Sequence, residues 1–301
     1  MKIAGIIAEY DPFHNGHAYQ IAKTRAQTGA DGIVVVLGGE FTQRGEGAWC
    51  SKYLRAKCAL LCGADLVLEM PVPYALGSAE RFAKGGVSIL DSLNCVDYLS
   101  FGSESGNGEN ILRFAELSES EIFLDEMKKA LSEGISAPLA RQKATEKLMP
   151  KLCGIAGNPN DTLGAEYCKW LLRLKSKMEP VAVKRYGANH GEETVLKSGI
   201  ASATYLRSFS EAEDIFPFVP AETREILQRE FEKYGPRMVL LTDITYLSYK
   251  NGTFAYLSTI LDAFTKQLFV WIKFTYGAVQ TIFLHQTTDF LQIHNYRFRP
   301  V

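Results

Sequence analysis

Nowhere does the sequence hold the ~18 uninterrupted apolar residues that a membrane-spanning helix needs, so no membrane partner is expected. An excess of one charge is also missing: 33 Lys and Arg face 34 Asp and Glu, a formal net charge of −1 with a pI near 6.5. That balance excludes a global pull toward nucleic acid or lipid, and any polyanion has to be held by a local patch. Cysteines are few, six in all, at Cys50, Cys58, Cys62, Cys95, Cys153 and Cys168. They have neither the short paired spacing of a zinc site nor the density of a secreted disulfide scaffold, so free thiols in a reducing cytoplasm are expected. Internal repeats and low-complexity tracts are absent from the sequence. Met1 runs straight into a strand-like segment, so no cleavable signal peptide is expected and the chain is assigned to the cytoplasm.

With 47% apolar residues over 301 positions, the chain can bury a full core, as one large domain or two ordinary ones. Lys2 to Ala8, Ile33 to Leu37, Asp65 to Met70 and Tyr98 to Gly102 are short apolar runs closed by turn residues, as buried parallel strands are. Helical patterns lie between them at His17 to Thr28, Ser51 to Cys62 and Ala79 to Leu93. This alternation predicts an α/β fold with a doubly wound parallel sheet. A charged helical insertion is expected over about 107–152, then a helix over Glu166 to Lys177, a strand over Pro180 to Val183 and a short helix over Ala201 to Phe209. The expected division is a domain over 1–210 and a mainly helical region over 211–301, with no assigned fold after about Tyr256.

Glu-Tyr-Asp-Pro-Phe-His-Asn-Gly-His, from Glu9 to His17, falls where the first strand gives way to a helix, the place where open α/β sheets bind ligands. A helix starting near Asn15 or Gly16 would aim free N–H groups at the space that His14 and His17 share, and Gly16 would let an anion approach the backbone. The two imidazoles could then donate to phosphate oxygens and stabilise charge at a reacting phosphorus. The same spacing also suits a plain helix start capped by Asn15, with partly exposed histidines. Metal ligation lacks a third ligand nearby, and no metal site is expected. Three further clusters share the sheet edge: Glu40 to Glu46, Gly102 to Gly106, and Ser202, Thr204 and Arg207, the last offering hydroxyls and a phosphate-gripping guanidinium.

The strand–HxGH-type–helix segment with the late Ser-x-Thr-x-x-Arg resembles the HIGH-type nucleotidyltransferase superfamily. Gly5 to His17, Phe41 to Glu46, Phe101 to Glu104, Asn158 to Tyr167 and Val183 to Arg185 resemble, within it, the tRNA(Met) cytidine acetate ligase family, in order over residues 1 to about 210. The resemblance implies a Rossmann-like nucleotidyltransferase domain and an ATP-dependent ligase, with Mg²⁺ accompanying ATP. Such an enzyme activates acetate as acetyl-adenylate with loss of pyrophosphate, then acetylates N4 of the wobble cytidine of elongator tRNA(Met). It implies His14 and His17 as catalytic residues. ATP contacts carry over to Ile7, Ala8, Glu9, Tyr10, Asp11, Pro12, Phe13, His14, Asn15, Gly16, His17, Ala18, Tyr19 and Gln20, and to Gly102, Asn160 and Arg185; Ser202, Thr204 and Arg207 follow the superfamily pattern. No protein partner is implied.

Two other functions stay open on the residues alone: a small-molecule adenylyltransferase acting on a phosphorylated acceptor, and a non-enzymatic tRNA-binding protein with a vestigial nucleotide site. The tail after about 255 is unmatched by the resemblance, and native sequence, truncation and a shifted reading frame all stay open for it. Basic residues expected to meet tRNA phosphates are Lys128, Lys129, Arg141, Lys143, Lys147, Lys151, Arg173, Lys175, Lys177, Lys184 and Arg185.

Overall fold

The computed structural model describes residues 1–185, 200–207, 212–233, 240–249, 253–262, 268–274, 281–285 and 292–296. Contacts divide the chain into two compact units, Met1–Ile226 and Leu227–Val301.

The first unit runs β1 (Ile3–Ala8), α1 (Asn15–Thr28), β2 (Gly32–Leu37), α2 (Lys52–Leu61), β3 (Leu66–Glu69), α3 (Val72–Ala75), α4 (Ala79–Ser92), β4 (Tyr98–Ser103), α5 (Gly108–Ser118), α6 (Glu121–Ser132), α7 (Ala137–Leu148), α8 (Cys153–Gly157), α9 (Pro159–Leu174), β5 (Glu179–Lys184) and α10 (Ala203–Leu206), and enters α11 (Ala221–Lys233). Its sheet is parallel throughout, in the order β3-β2-β1-β4-β5. The expected doubly wound sheet and helical insertion are both present.

Burial explains the sequence pattern. β1 and β2 are buried almost end to end because helices cover both faces, whereas β3 and β5 are partly exposed edges. Side chains alternate between the faces. Ser100 points to α1, where its Oγ lies 2.6 Å from Thr24 Oγ1, and the next residue, Phe101, points to α9. Gly164 makes room there, since a Cβ on it would stand 2.5 Å from the Phe101 ring. Gly86 of α4 does the same for Ile7 of β1, at 2.6 Å. These close approaches seat α4 and α9 against the sheet, with Val34, Val36, Phe82, Val87, Leu90, Leu99, Phe114 and Tyr167 filling the core. Each large side chain so buried contributes ~1.5–3 kcal/mol.

α9 begins seven residues earlier than the helix expected from Glu166, at Pro159. Pro159 at the first helical position suits the start, and the Glu104 carboxylate accepts the N–H groups of Asn160 and Asp161.

In the second unit the described segments β6 (Leu240–Tyr249), β7 (Thr253–Asp262), β8 (Leu268–Phe274), β9 (Thr281–His285) and β10 (Gln292–Tyr296) form an antiparallel sheet of order β10-β9-β8-β7-β6. This corrects the expectation of a mainly helical region over 211–301: helix among the described residues there is limited to the Ala212–Phe218 turn and α11. The physical reason is composition. Runs such as Phe269-Val270-Trp271-Ile272 and Thr281-Ile282-Phe283 are β-branched and aromatic, without a 3.6-residue period. Among the described residues, no helix is long and apolar enough to cross a membrane.

Candidate functional site

Beyond β1 and β4 the crossovers leave in opposite directions, opening a crevice at the carboxyl ends of the strands. A cavity of about 370 Å³ lies there.

Its centre is the turn from β1 into α1. Tyr10, at φ 53°, adopts the left-handed region that a bulky residue rarely takes. Its buried ring meets Phe13 edge-on at 4.9 Å and His17 at 4.7 Å. The helix cap is His14 itself, not Asn15. His14 Nδ1 accepts the Gly16 N–H at 3.1 Å, and His17 Nδ1 accepts the His14 N–H at 3.3 Å. The two rings stack with centroids 3.6 Å apart. Because each Nδ1 is an acceptor, the proton of each neutral ring sits on Nε2, which becomes its donor. Burial lowers the His14 pKa to about 3, helped by the Arg185 and Arg207 charges. Burial also holds His17 well below the usual histidine range, with His14 and then Arg185 adding to the effect. At neutral pH both are therefore uncharged donors.

The wall on the β2 side is a loop tied to the end of β1 at several points. Glu9 Oε1 accepts the Gln43 N–H at 2.5 Å, and Asp11 Oδ1 accepts those of Trp49 and Cys50 at 2.7 and 3.2 Å. Arg55 of α2, only 2% exposed, donates to the carbonyls of Glu9 (2.5 Å), Gly38 (3.2 Å), Cys50 (2.9 Å) and Gly39. One guanidinium thus satisfies buried carbonyls from the strand end and both ends of the loop. Burial pushes the carboxyls of Glu9 and Asp11 up; Arg55 and Arg207 oppose the rise at both.

The remaining walls come from later in the chain. Arg207 Nη1 donates to the Asp11 carbonyl at 2.7 Å, and its Nη2 reaches Thr204 Oγ1 at 3.5 Å. Ser202 caps α10, its Oγ accepting the Tyr205 N–H at 3.2 Å. Arg185 follows β5 and lies over Gly102, with its N–H on the Ser103 carbonyl at 2.8 Å. Asn160, in the first turn of α9, donates from Nδ2 to Glu104 Oε1 at 2.6 Å.

Of the residues expected at a site, Ile7, Ala8, Glu9, Tyr10, Asp11, His14, His17, Gln20, Gly102, Asn160, Arg185, Ser202, Thr204 and Arg207 line this cavity together. Gly16 and Tyr19 line a smaller one beside it, shared with His14, His17 and Arg185. Pro12, Phe13, Asn15 and Ala18 line neither: Pro12 and Phe13 are buried behind the turn, and Asn15 donates to the Pro217 carbonyl at 3.4 Å. Sequence reasoning missed Arg55 and the aromatic lining of Phe82, Phe101 and Tyr167. The signal for Arg55 was an arginine among the inward positions Leu54, Cys58 and Ala59 of α2.

Among the described residues, no group of three His, Cys, Asp or Glu side chains is arranged to hold a metal ion. Several basic residues expected to face tRNA are already paired. Lys128 and Lys129 bind Asp125 and Glu126, Lys143 and Lys147 bind Glu133 and Glu126, and Arg173 bridges Glu80 and Glu119.

A solved structure of Thermotoga maritima TmcAL bound with alpha-thio ATP superposes with a TM-score of 0.70 at 33% identity, over 77% of this chain and 56% of that one. Its apo form gives 0.73, at the same identity and over 57% of that chain. The tRNA(Met) cytidine acetate ligase of Caldicellulosiruptor bescii is 42% identical over 84% of this chain and 63% of its own length, and that of Clostridium tetani is 43% identical over 69% and 54%. This chain spans about 60% of the length of such relatives. A family model described as HIGH Nucleotidyl Transferase matches residues 1–263, with the His14–His17 turn at the strand-to-helix switch inside the match; the chain belongs to the HIGH nucleotidyl transferase family.

Proposed function

We propose that this chain acts as a tRNA(Met) cytidine acetate ligase: it binds ATP in the cavity, forms acetyl-adenylate from acetate, and passes the acetyl group to N4 of the wobble cytidine of elongator tRNA(Met). The observation that carries the reading is the cavity itself, with two neutral imidazole donors and the guanidinium groups of Arg185 and Arg207 at one sheet edge. The names of the relatives, and the ATP analogue bound to the Thermotoga protein, support the same assignment.

The chemistry asks for positioning and charge stabilisation rather than a protein nucleophile. Acetate oxygen attacks the α-phosphorus, the bond to pyrophosphate breaks, and negative charge gathers on the phosphoryl oxygens in between. His14 and His17 donate through Nε2–H to those oxygens, while Arg185 and Arg207 offset the charge of the leaving pyrophosphate. In the second step the cytidine amine attacks the acetyl carbonyl, AMP departs, and the amine loses a proton. Mg²⁺ fits as an ion that arrives with the nucleotide, since it characteristically keeps substrate phosphates and water with one or two carboxylates. Glu9 and Asp11 are the cavity's carboxylates for it, and Asp11 Oδ2 is buried without a hydrogen-bond partner. When bound, the ion neutralises phosphate charge. A cytoplasmic setting, where ATP and tRNA meet, belongs to this reading.

The test is exchange of labelled pyrophosphate into ATP with and without acetate, followed by nucleoside analysis of tRNA incubated with labelled acetate. Acetate-dependent exchange and label in cytidine are expected. Exchange driven only by a phosphorylated acceptor makes the chain a small-molecule adenylyltransferase instead, and tRNA binding without ATP binding makes the nucleotide site vestigial.

A further inference from the structure

Glu104 stands outside the nucleotide contacts assigned above, yet it is hydrogen-bonded to one of them, Asn160. It follows Ser103 at the end of β4, and its carboxylate reaches across to the first turn of α9. Oε1 accepts the Asn160 N–H at 3.2 Å and Asn160 Nδ2 at 2.6 Å, while Oε2 accepts the Asp161 N–H at 2.9 Å. The neighbouring Asp161 anchors the same loop in return. Its buried carboxylate accepts from Ser103 Oγ, from the Ser105 N–H at 3.1 Å and from Asn158 Nδ2 at 3.0 Å. Loop and helix are therefore clasped from both sides, and the free N–H groups that open α9 are occupied by Glu104 rather than left for an anion.

A carboxylate only accepts, so the Asn160 amide has one permitted orientation, with its NH₂ on Glu104. The amide oxygen then faces away from Glu104. Asn160 lines the main cavity. We infer that Glu104 is a positioning residue that locks Asn160 with its amide oxygen toward the nucleotide, so that the site selects a hydrogen-bond donor on the nucleoside. This rests on the reading that the cavity binds ATP. ATP offers such a donor in two places, the 6-amino group of adenine and the ribose hydroxyls, and Asn160 recognises one of them.

Glu104→Ala tests the lock. Without the carboxylate no acceptor holds the Asn160 NH₂, and the amide is free to turn either its oxygen or its NH₂ toward the nucleotide; glutamine would not serve, because its oxygen at the Oε1 position would still accept from both the N–H and Nδ2 of Asn160. Affinities of the full chain for ATP, inosine triphosphate, 2′-deoxy-ATP and 3′-deoxy-ATP are measured by calorimetry for wild type, Glu104→Ala and Asn160→Ala, with melting temperatures alongside. Wild type is expected to bind one of the three analogues about 10-fold more weakly than ATP, as the loss of one hydrogen bond at the half-buried Asn160 requires. Inosine triphosphate identifies the base as the source and a deoxy form identifies the sugar. That penalty is expected to shrink to about twofold or less in both variants. Asn160→Ala keeps both backbone bonds to Glu104, so its melting temperature stays near wild type while its discrimination is lost; a merely structural role for the pair moves stability and leaves the ratio alone. ATP binding with no analogue distinguished by wild type, or with the penalty intact in either variant, overturns the inference and leaves the proposed function standing. Absence of ATP binding in wild type overturns both.

Discussion

His14 is asked to do two things at once, and a pair of substitutions separates them. As a cap, its Nδ1 satisfies the Gly16 N–H; as a donor, its Nε2–H serves the cavity. Asparagine places an oxygen close to where Nδ1 stands and is among the preferred capping residues, so His14→Asn keeps the first role and deletes the second. It forfeits the stack on His17 at 3.6 Å, worth roughly 1 kcal/mol by analogy with aromatic pairs. His14→Ala loses that and the cap, a further ~1 kcal/mol. In a unit of this size each kcal/mol moves the melting temperature by ~2–4 °C, so Asn should melt a few degrees low and Ala about twice as far down. Activity should not follow stability. Removing one preorganised donor costs about 10²–10³ in rate, ~2.7–4 kcal/mol, and both variants should fall by that factor in acetate-dependent pyrophosphate exchange. Exchange within about threefold of wild type in His14→Asn refutes the donor role and leaves the residue a cap. Equal melting temperatures for the two variants refute the cap.

Two other outcomes can be checked on the folded protein without substrate. Folded His14 titrates at about 3 and His17 well below the ordinary value, so below about pH 6.5 the unfolded chain binds protons that the folded chain refuses and stability falls with pH. For His14 the slope approaches ~1.4 kcal/mol per pH unit. Glu9 and Asp11, whose carboxyls are pushed up, act in the opposite sense, their stabilising share being lost as pH rises through their folded values. Urea denaturation at pH 7 and pH 5.5 should show a less favourable change on acidification in wild type than in His14→Asn, and an equal change in the two proteins contradicts the assignment. Arg55→Met leaves the carbonyls of Glu9, Gly38, Gly39 and Cys50 without their donor, along with two carboxylates that lose a facing cation. A loss of ~3–5 kcal/mol is expected by chemical denaturation, and a loss under ~1 kcal/mol means the loop holds itself.

How far this arrangement could be read in the sequence varied with the range of the interactions behind it. β1, β2 and β4 were legible because a strand covered on both faces needs an unbroken apolar run, and Ile33 to Leu37 can be little else. The His14–Gly16–His17 turn was legible because it immediately follows such a run. What stayed hidden depends on partners distant in the chain. Glu104 caps a helix 56 residues on, which moves the start of α9 back to Pro159, and no local pattern around Glu166 foretells that. Arg55 looks like an ordinary helical arginine until Glu9, 46 residues earlier, is seen to need its hydrogen bond. Asn15 was the better cap by propensity, and it lost because stacking on His17 and burial hold His14 where its own Nδ1 reaches the helix N–H. The strands from Leu240 on were misjudged for another reason: their runs carry no clear turn signals, so composition alone had to decide.

The capping geometry also fixes how charge is divided across the cavity. A protonated imidazole carries N–H at both ring nitrogens, and at His14 and His17 one of those would face a backbone N–H that the ring now accepts from. Neutrality is thus built into the turn, over and above the lowering by burial and by the arginines. The same construction directs both Nε2–H groups as donors without adding positive charge beside Arg185 and Arg207, where two imidazolium ions would repel them. In the proposed reaction cationic stabilisation then falls to the guanidinium groups, and fine positioning falls to the histidines. The two histidines therefore bring no change of charge of their own to the cavity near neutral pH, and Glu9 and Asp11, whose carboxyls burial pushes up, are the lining groups whose charge responds to pH.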